Sequence, residues 1–309
     1  MHSGENVIEI KNLRKTYKNL EAVKGISFSV GAKEIFGILG PNGAGKTTTL
    51  EMIEGLKKQT SGEIRVLGMD NREHEKEIKK RIGVQLQSSE YLNDLSLSEL
   101  ITLFASLYGQ KTDPKKVLAK VGLEEKADSR VKQLSGGQKQ RFTIATALVH
   151  KPEIIFLDEP TTGLDPHARR EMWKLIKSLN EQEITIVITT HYMEEAEYLC
   201  DRVAIMEQGK ILKMDSPEGL IQSLGKGYSL SFFTDAPLPK DFFDQFKTYL
   251  TTIVNEFPKT TVEMDDLEIL PKIIDKLTAQ KIHYKFFNLQ TPKLEDVYLH
   301  LTGHSYEQE

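Results

Sequence analysis

A single cysteine, Cys200, occurs in 309 residues. An intrachain disulfide is therefore excluded, and the composition fits a reducing compartment in which Cys200 serves as a small apolar core residue. No apolar run reaches the roughly 18 residues that a membrane-spanning helix needs. The opening stretch, MHSGENVIEIKNLRK, lacks the layout of a secretory signal, so the expected location is the cytosol unless another component holds the chain at a membrane. Neither charge sign dominates: 41 Lys and Arg face 45 Asp and Glu, a formal net charge of -4. That balance leaves no basic footprint, and nucleic acid is not an expected partner. Internal repeats and low-complexity tracts are missing too. The remaining class is a soluble globular chain, long enough for one large domain or two ordinary ones.

Strand-like alternation marks residues 7–10 (VIEI) and 26–30 (ISFSV), as in half-buried strands. The more continuous apolar run EIFGILG at 34–40 reads as a buried strand of an α/β sheet, and it leads through a glycine-rich loop into the helical GKTTTLEMIEGL. Residues 72–81, REHEKEIKKR, mix both charge signs and read as a solvated helical face. Residues 96–150 are largely helical by pattern. Buried strands return at 153–157 (EIIFL), 184–189 (ITIVIT) and 203–206 (VAIM). Asp165 and Pro166 suit the cap and first residue of a helix over PHARREMWKLIKSLN. After SPEGLIQSLGKG the character changes. Short strand-like runs (YSLSFF, TTVEM, HYKFF) alternate with helical ones, as in a small α+β module without a phosphate loop or metal-ligand cluster.

The glycine-rich loop carries the most specific chemistry. GPNGAGKT fits G-x-x-x-x-G-K-[ST] at Gly40, Gly45, Lys46 and Thr47. Such a loop wraps backbone amides around phosphates, its lysine reaches the outer ones, and its hydroxyl serves Mg²⁺. IIFLDEP at 154–160 puts two carboxylates at the C-terminal end of a buried strand, where open α/β sheets place ligands. Asp158 suits a magnesium shell, and Glu159 is placed to polarise an attacking water, since phosphoryl transfer depends on a positioned nucleophile. The plainer alternative for either is a helix N-cap. His191, after VITT, also has a plainer reading as a satisfied core or capping residue. Gln87 has one as a strand-end glutamine, and Tyr17 as a strand aromatic instead of a base platform. A second anion seat, LSGGQ at 134–138, opens a helix with two glycines that let backbone approach a ligand. One nucleotide should not need two seats.

In this order, the motifs over residues 5 to about 222 resemble those of the ATP-binding cassette (ABC) ATPases. Tyr17 matches the aromatic adenine loop. Gly40, Pro41, Asn42, Gly43, Ala44, Gly45, Lys46, Thr47 and Thr48 match the Walker A motif. Gln87 matches the Q-loop, Leu134–Gln138 the signature, IIFLDE the Walker B strand, Leu164–Asp165 the D-loop and His191 the switch histidine. The resemblance implies a P-loop NTPase core of α/β class with an antiparallel β-subdomain. It also implies a helical signature subdomain at about 90–150, and a small C-terminal α+β domain over 223–309 after an ATPase domain over 1–222. It implies ATP and Mg²⁺ as ligands. Lys46, Gln87, Glu159 and His191 would then serve catalysis, and Thr47, Gln87 and Asp158 the metal. Ser135, Gly136, Gly137 and Gln138 of the signature would close over a nucleotide held by another subunit, and Asp165 would also serve nucleotide binding. The second anion seat then belongs to the partner's nucleotide.

Within that family, a DNA-repair or chromosome ATPase needs a long heptad insertion, which is missing here, and translation-type factors carry two cassettes per chain. The resemblance therefore implies a transporter's ATPase subunit, peripheral on the inner face of the cell membrane and dimeric with itself or a paralogue. GPNGAGKTTTLEMIEGL and the tail TPKLEDVYLHLTG at 291–303 resemble exporters that pair with separate type-2 permeases, with an importer ATPase as the alternative. The tail reads as an amphipathic helix whose Val297, Leu299 and Leu301 need burial.

Overall fold

The computed structural model describes residues 5–85, 91–92, 94–225 and 227–303. The expectation for Gln87 lies outside the described residues. The chain divides into two compact units, Met1–Pro217 and Glu218–Glu309.

The first unit begins with a long hairpin, β1 (Asn6–Tyr17) and β2 (Leu20–Gly31). Both strands run well past the alternating segments at 7–10 and 26–30, because register shifts absorb the irregular residues between. The fully buried β3 (Ile35–Leu39) then runs into the glycine-rich loop and α1 (Lys46–Ile53). β4 (Ser61–Val66), β5 (Met69–Asp70), the short α2 (Glu75–Lys79) and β6 (Ile82–Gln85) follow. Of the mixed-charge stretch, only Ile78 in α2 is buried.

A helical stretch comes next: α3 (Leu97–Leu107), α4 (Pro114–Lys120) and α5 (Gly136–Ala147). Local chemistry starts each one. Ser96 and Glu99 form a reciprocal capping box, Asp113 caps α4 with Pro114 behind it, and Ser135 and Gln138 form a second box. The buried β7 (Ile154–Asp158) follows, then α6 (Pro166–Asn180), whose N-cap is Asp165. β8 (Thr185–Thr190), α7 (Met193–Leu199), β9 (Arg202–Glu207), β10 (Lys210–Asp215) and α8 (Pro217–Gln222) complete the run to the unit boundary.

Among the described residues the strands of this unit form two sheets, ordered β2-β1-β4-β5 and β10-β9-β3-β8-β7-β6. The first is antiparallel; in the second, β9, β3, β8, β7 and β6 pair in parallel. β3 lies between β8 and β9, so its C-terminal end opens the glycine-rich loop amid the ends of its neighbours, as ligand-binding α/β sheets require. One apolar core joins the two sheets: Phe28 of β2 stacks on Phe36 of β3 at 5.1 Å between centroids, with Ile10, Val30, Leu50 and Phe156 in the same cluster. Cys200 is buried, as its composition suggested, with its Sγ closing the space beside Gly37.

The second unit contains β11 (Tyr228–Thr234), β12 (Leu250–Glu256), β13 (Lys259–Met264), α9 (Ile269–Ala279), β14 (Tyr284–Gln290) and α10 (Leu294–Thr302). Its sheet is antiparallel in the order β12-β13-β11-β14. One face packs Leu230, Phe232, Val262 and Met264 with Ile269, Ile273 and Leu277 of α9. The tail forms the expected helix and buries Val297, but the burial expected of Leu299 needs correction. Leu294, Val297 and Tyr298 are the buried residues of α10, whereas Leu299 is 42% exposed. Val297, Leu299 and Leu301 recur every second residue, which is a strand's period; a helix buries positions three and four apart.

Candidate active site

Burial on every side makes β3 rigid, and the loop it delivers is cramped on one flank. A Cβ at Gly40 would stand 2.1 Å from the carbonyl oxygen of Met206 on β9, and one at Gly45, where φ is +104°, 2.6 Å from the Ala22 carbonyl oxygen on β2. Glycine is required at both positions. The contact with Ala22 brings the β1–β2 hairpin, which carries Tyr17 at the end of β1, against the loop. Tyr17 is 38% exposed, and the ammonium groups of Lys15 and Lys57 lie 4.9 and 5.8 Å from its ring centroid. Lys46 is buried and folds back over its own loop, donating to the carbonyls of Gly40 (2.8 Å) and Pro41 (3.1 Å).

At the end of β7 the two carboxylates are held quite differently. Asp158 Oδ1 accepts from Thr47 Oγ1 at 3.2 Å and from Thr189 Oγ1. Burial raises the Asp158 pKa, and the two hydroxyl donors oppose that rise. Glu159 stands next to it in the left-handed region at φ +47°, a conformation that costs a non-glycine residue about 1–2 kcal/mol. Two bonds from its amide to Thr189, to the backbone oxygen and to Oγ1 (both 3.1 Å), pin it there. The turn sends its carboxylate toward the loop lysine: Oε1 lies 3.1 Å from Lys46 Nζ. Oε2 accepts from His191 Nδ1 at 3.0 Å and from Thr162 Oγ1 at 3.1 Å. The His191 hydrogen bond, then the Lys46 charge, outweigh burial and hold Glu159 at a pKa of about 2. It is therefore an ionised acceptor at neutral pH. Neither carboxylate caps a helix, since α6 begins later under Asp165, whose Oδ1 accepts from the His167 and Ala168 amides at 2.9 Å.

Thr47, Asp158, Glu159, Lys46 and His191 are thus brought together from three segments of chain. The hydroxyl and carboxylate oxygens of Thr47 and Asp158, already 3.2 Å apart, form a hard oxygen pair of the type that Mg²⁺ accepts. Thr189 and Thr162, which orient the carboxylates, were not singled out from the sequence. VITT and DEPTT hold the relevant hydroxyls, but only the fold shows which threonine faces inward.

The second anion seat is elsewhere. Ser135 Oγ accepts from the Gln138 amide at 3.3 Å, and Gln138 Oε1 accepts from the Ser135 amide at 3.0 Å. These bonds fix the N-terminus of α5 with the amides of its first turn facing outward. A cavity of about 500 Å³ opens there, lined by Ser135, Gly136, Gly137, Gln138, Leu164 and Asp165 among others, and by no residue of the 40–48 loop. The two seats are therefore separate places in the first unit.

A buried parallel sheet, a phosphate loop at its centre, paired carboxylates with a histidine, and a separate glycine-rich helix start define a P-loop nucleotide-binding cassette. The model of the ABC transporter family matches residues 23–162. The linearmycin resistance ATP-binding protein LnrL of Bacillus subtilis (strain 168) is 35% identical over 96% of this chain and 98% of its own length. A Nod factor export ATP-binding protein I of Burkholderia lata is 38% identical over 96% and 97%. Among solved structures, the dimeric, ADP- and Pi-bound post-hydrolysis state of the ATP-binding cassette MJ0796 superposes with a TM-score of 0.62 at 29% identity, covering 68% of this chain and 98% of that one. The chain belongs to the ABC transporter family and is an ATP-binding subunit of such a transporter. Among the described residues, no helix is long and apolar enough to cross a membrane.

Proposed function

We propose that this subunit hydrolyses ATP in a head-to-tail dimer and drives export through a separate type-2 membrane permease. The observation that carries the hydrolytic reading is Glu159, ionised and clamped between Lys46 and His191 one residue beyond Asp158. In this reading the amides of Gly40–Thr48 cradle the phosphates, and Lys46 leaves its loop carbonyls for the outer phosphate oxygens. Tyr17 offers its ring to the adenine, a contact of about 1–3 kcal/mol. Thr47 and Asp158, with Gln87, hold Mg²⁺, which when bound neutralises charge on the phosphate oxygens. Glu159 accepts a hydrogen bond from the attacking water and orients it, while His191 keeps that carboxylate aimed. Ser135 and the Gly136 and Gly137 amides serve the other copy's nucleotide. The separation of the two half-sites and the dimeric state of MJ0796 support this division. The names of LnrL, a resistance protein, and of the Nod factor exporters favour export over import.

Glu159→Gln tests the core of this. The variant should bind ATP, lose nearly all turnover and accumulate as an ATP-bound dimer on size exclusion. Hydrolysis near the wild-type rate would remove Glu159 from its role. Export requires a permease, so co-purification with a six-helix membrane protein encoded beside this chain, and ATP-dependent efflux from cells expressing both, decide the direction.

A further inference from the structure

Glu195 is a fully buried carboxylic acid that the proposed chemistry does not use. It lies on α7, four residues past His191, at 0% exposure. Its Oε1 accepts from Thr161 Oγ1 and from Trp173 Nε1, both at 2.8 Å. Oε2 is buried without a hydrogen-bond partner among the described residues. Thr190, at the end of β8, also faces this carboxyl and with Thr161 and Trp173 favours its charged form against burial. Even so, burying a carboxyl is costly, and an apolar side chain of similar volume would pack the same space more cheaply. The placement of its two donors explains why an acid stands there. Thr161 lies two residues beyond Glu159 in the loop that leaves β7. Trp173 lies on α6, the helix that starts at Asp165 beside the signature cavity. One oxygen therefore ties the Glu159 loop, the helix behind Asp165 and the helix behind His191 at a single point.

A second tie runs parallel to the first. The Arg169 guanidinium, one turn into α6, lies 3.9 Å from the centroid of the Tyr192 ring, and that ring lies 4.1 Å from the imidazole of His191. The Tyr192 amide donates to Thr190 Oγ1 at 2.9 Å, at the end of β8. The His191 segment is thus tied to α6 twice, through Arg169 and Tyr192 and through Glu195 and Trp173.

We propose that Glu195 is a positioning residue for hydrolysis: by holding Thr161 and Trp173 on one oxygen it sets the spacing between Glu159 and His191. The consequence for turnover rests on the hydrolytic reading above; the geometric claim does not. Displacing a reacting group by about 1 Å can cost on the order of a hundredfold in rate, so a buried acid that acts by positioning should change turnover far more than binding.

Two substitutions separate the claim from simple packing. Glu195→Leu keeps the volume and removes the acceptor, whereas Glu195→Gln keeps an acceptor oxygen for both donors. In the full chain, Glu195→Leu should lower kcat at least about tenfold and leave ATP affinity within about twofold, while Glu195→Gln stays near wild type. The second readout needs no turnover: the His191 ring ¹⁵N resonances of the nucleotide-free protein, assigned by comparison with His191→Ala, should move in Glu195→Leu and hold in Glu195→Gln. If Glu195→Leu does not fold, Thr161→Val removes one of the same donors isosterically and should shift the same resonances. Unmoved His191 resonances in either folded variant overturn the proposal, as does a Glu195→Leu enzyme that loses ATP affinity in proportion to kcat. A wild-type chain without ATPase activity would defeat the hydrolytic reading alone, and the resonance shifts would still decide the positioning claim.

Discussion

Glu54 ends α1 with its side chain almost wholly out of water, and burial, followed by the charges of Asp158 and Glu51, pushes its pKa from 4.5 to about 8. A carboxyl that is easier to protonate when folded favours the native state most where the proton is on in both states. That contribution is complete below pH 4.5 and is lost as pH rises toward 8. Glu54→Gln, which is uncharged throughout, should therefore match the wild-type melting temperature near pH 4.5 and exceed it progressively up to pH 8. The gain should be on the order of a few kcal/mol once the wild-type acid ionises. Thermal melts of the nucleotide-free protein across this range check the sign, and a stability difference that does not vary with pH would mean that Glu54 keeps its ordinary pKa. The same physics acts oppositely at Glu159, where His191 and Lys46 favour the charged form.

The phosphate loop shows at the scale of an element how two glycines of one motif are needed for different reasons. At Gly40 the obstacle is the Met206 carbonyl on β9, 2.1 Å from any Cβ, so Gly40→Ala must push the loop off the strand it rests on. At Gly43 nothing lies within 4 Å, and only its φ of +80° disfavours a side chain, a cost of roughly 1 kcal/mol. Gly40→Ala is therefore expected to lower both the melting temperature and ATP affinity sharply. Gly43→Ala should lower the melting temperature slightly and remain able to bind. Calorimetric titration with ATP beside a thermal melt ranks the two, and equal damage from both would show that close approach is not what Gly40 provides.

For the molecule as a whole, the separation of the signature cavity from the 40–48 loop makes a prediction about assembly. Ser135→Arg puts a large cation at the mouth of the cavity without touching Lys46 or Tyr17. Each monomer should bind ATP as before, while ATP-driven dimerisation with Glu159→Gln subunits falls in proportion to the Arg-bearing fraction. Unchanged dimerisation on size exclusion would count against the signature acting on another copy's nucleotide. The second unit has its own core around Leu230, Phe232 and Ile273. Chains ending after Leu224 retain α8, so they should stay soluble and bind ATP with about unchanged affinity. If the second unit supports subunit pairing, they should dimerise or transport less well. A soluble truncation that no longer binds ATP would place the second unit in nucleotide binding.

Local pattern alone determined the phosphate loop, the carboxylate pair after a buried strand, the signature at a helix start and the cap at Asp165. In each, the chemistry depends on residues a few positions apart, so spacing along the chain is spacing in space. The tertiary structure decided the rest. Thr189 reaches Asp158 from 31 residues away, Glu195 gathers Thr161 and Trp173 from 34 and 22 residues away, and the left-handed turn at Glu159 is held by amide bonds to another strand. No local pattern records such pairings, because they arise when separate strands of a parallel sheet, and the helices packed beside them, end side by side. The length of the β1–β2 hairpin was hidden for a related reason: register shifts break the alternation that marks a strand, and only the partner strand restores it. In α10, too, the helical period decides which side chains are covered, so Leu294, Val297 and Tyr298 are buried while Leu299, equally apolar, stays in solvent.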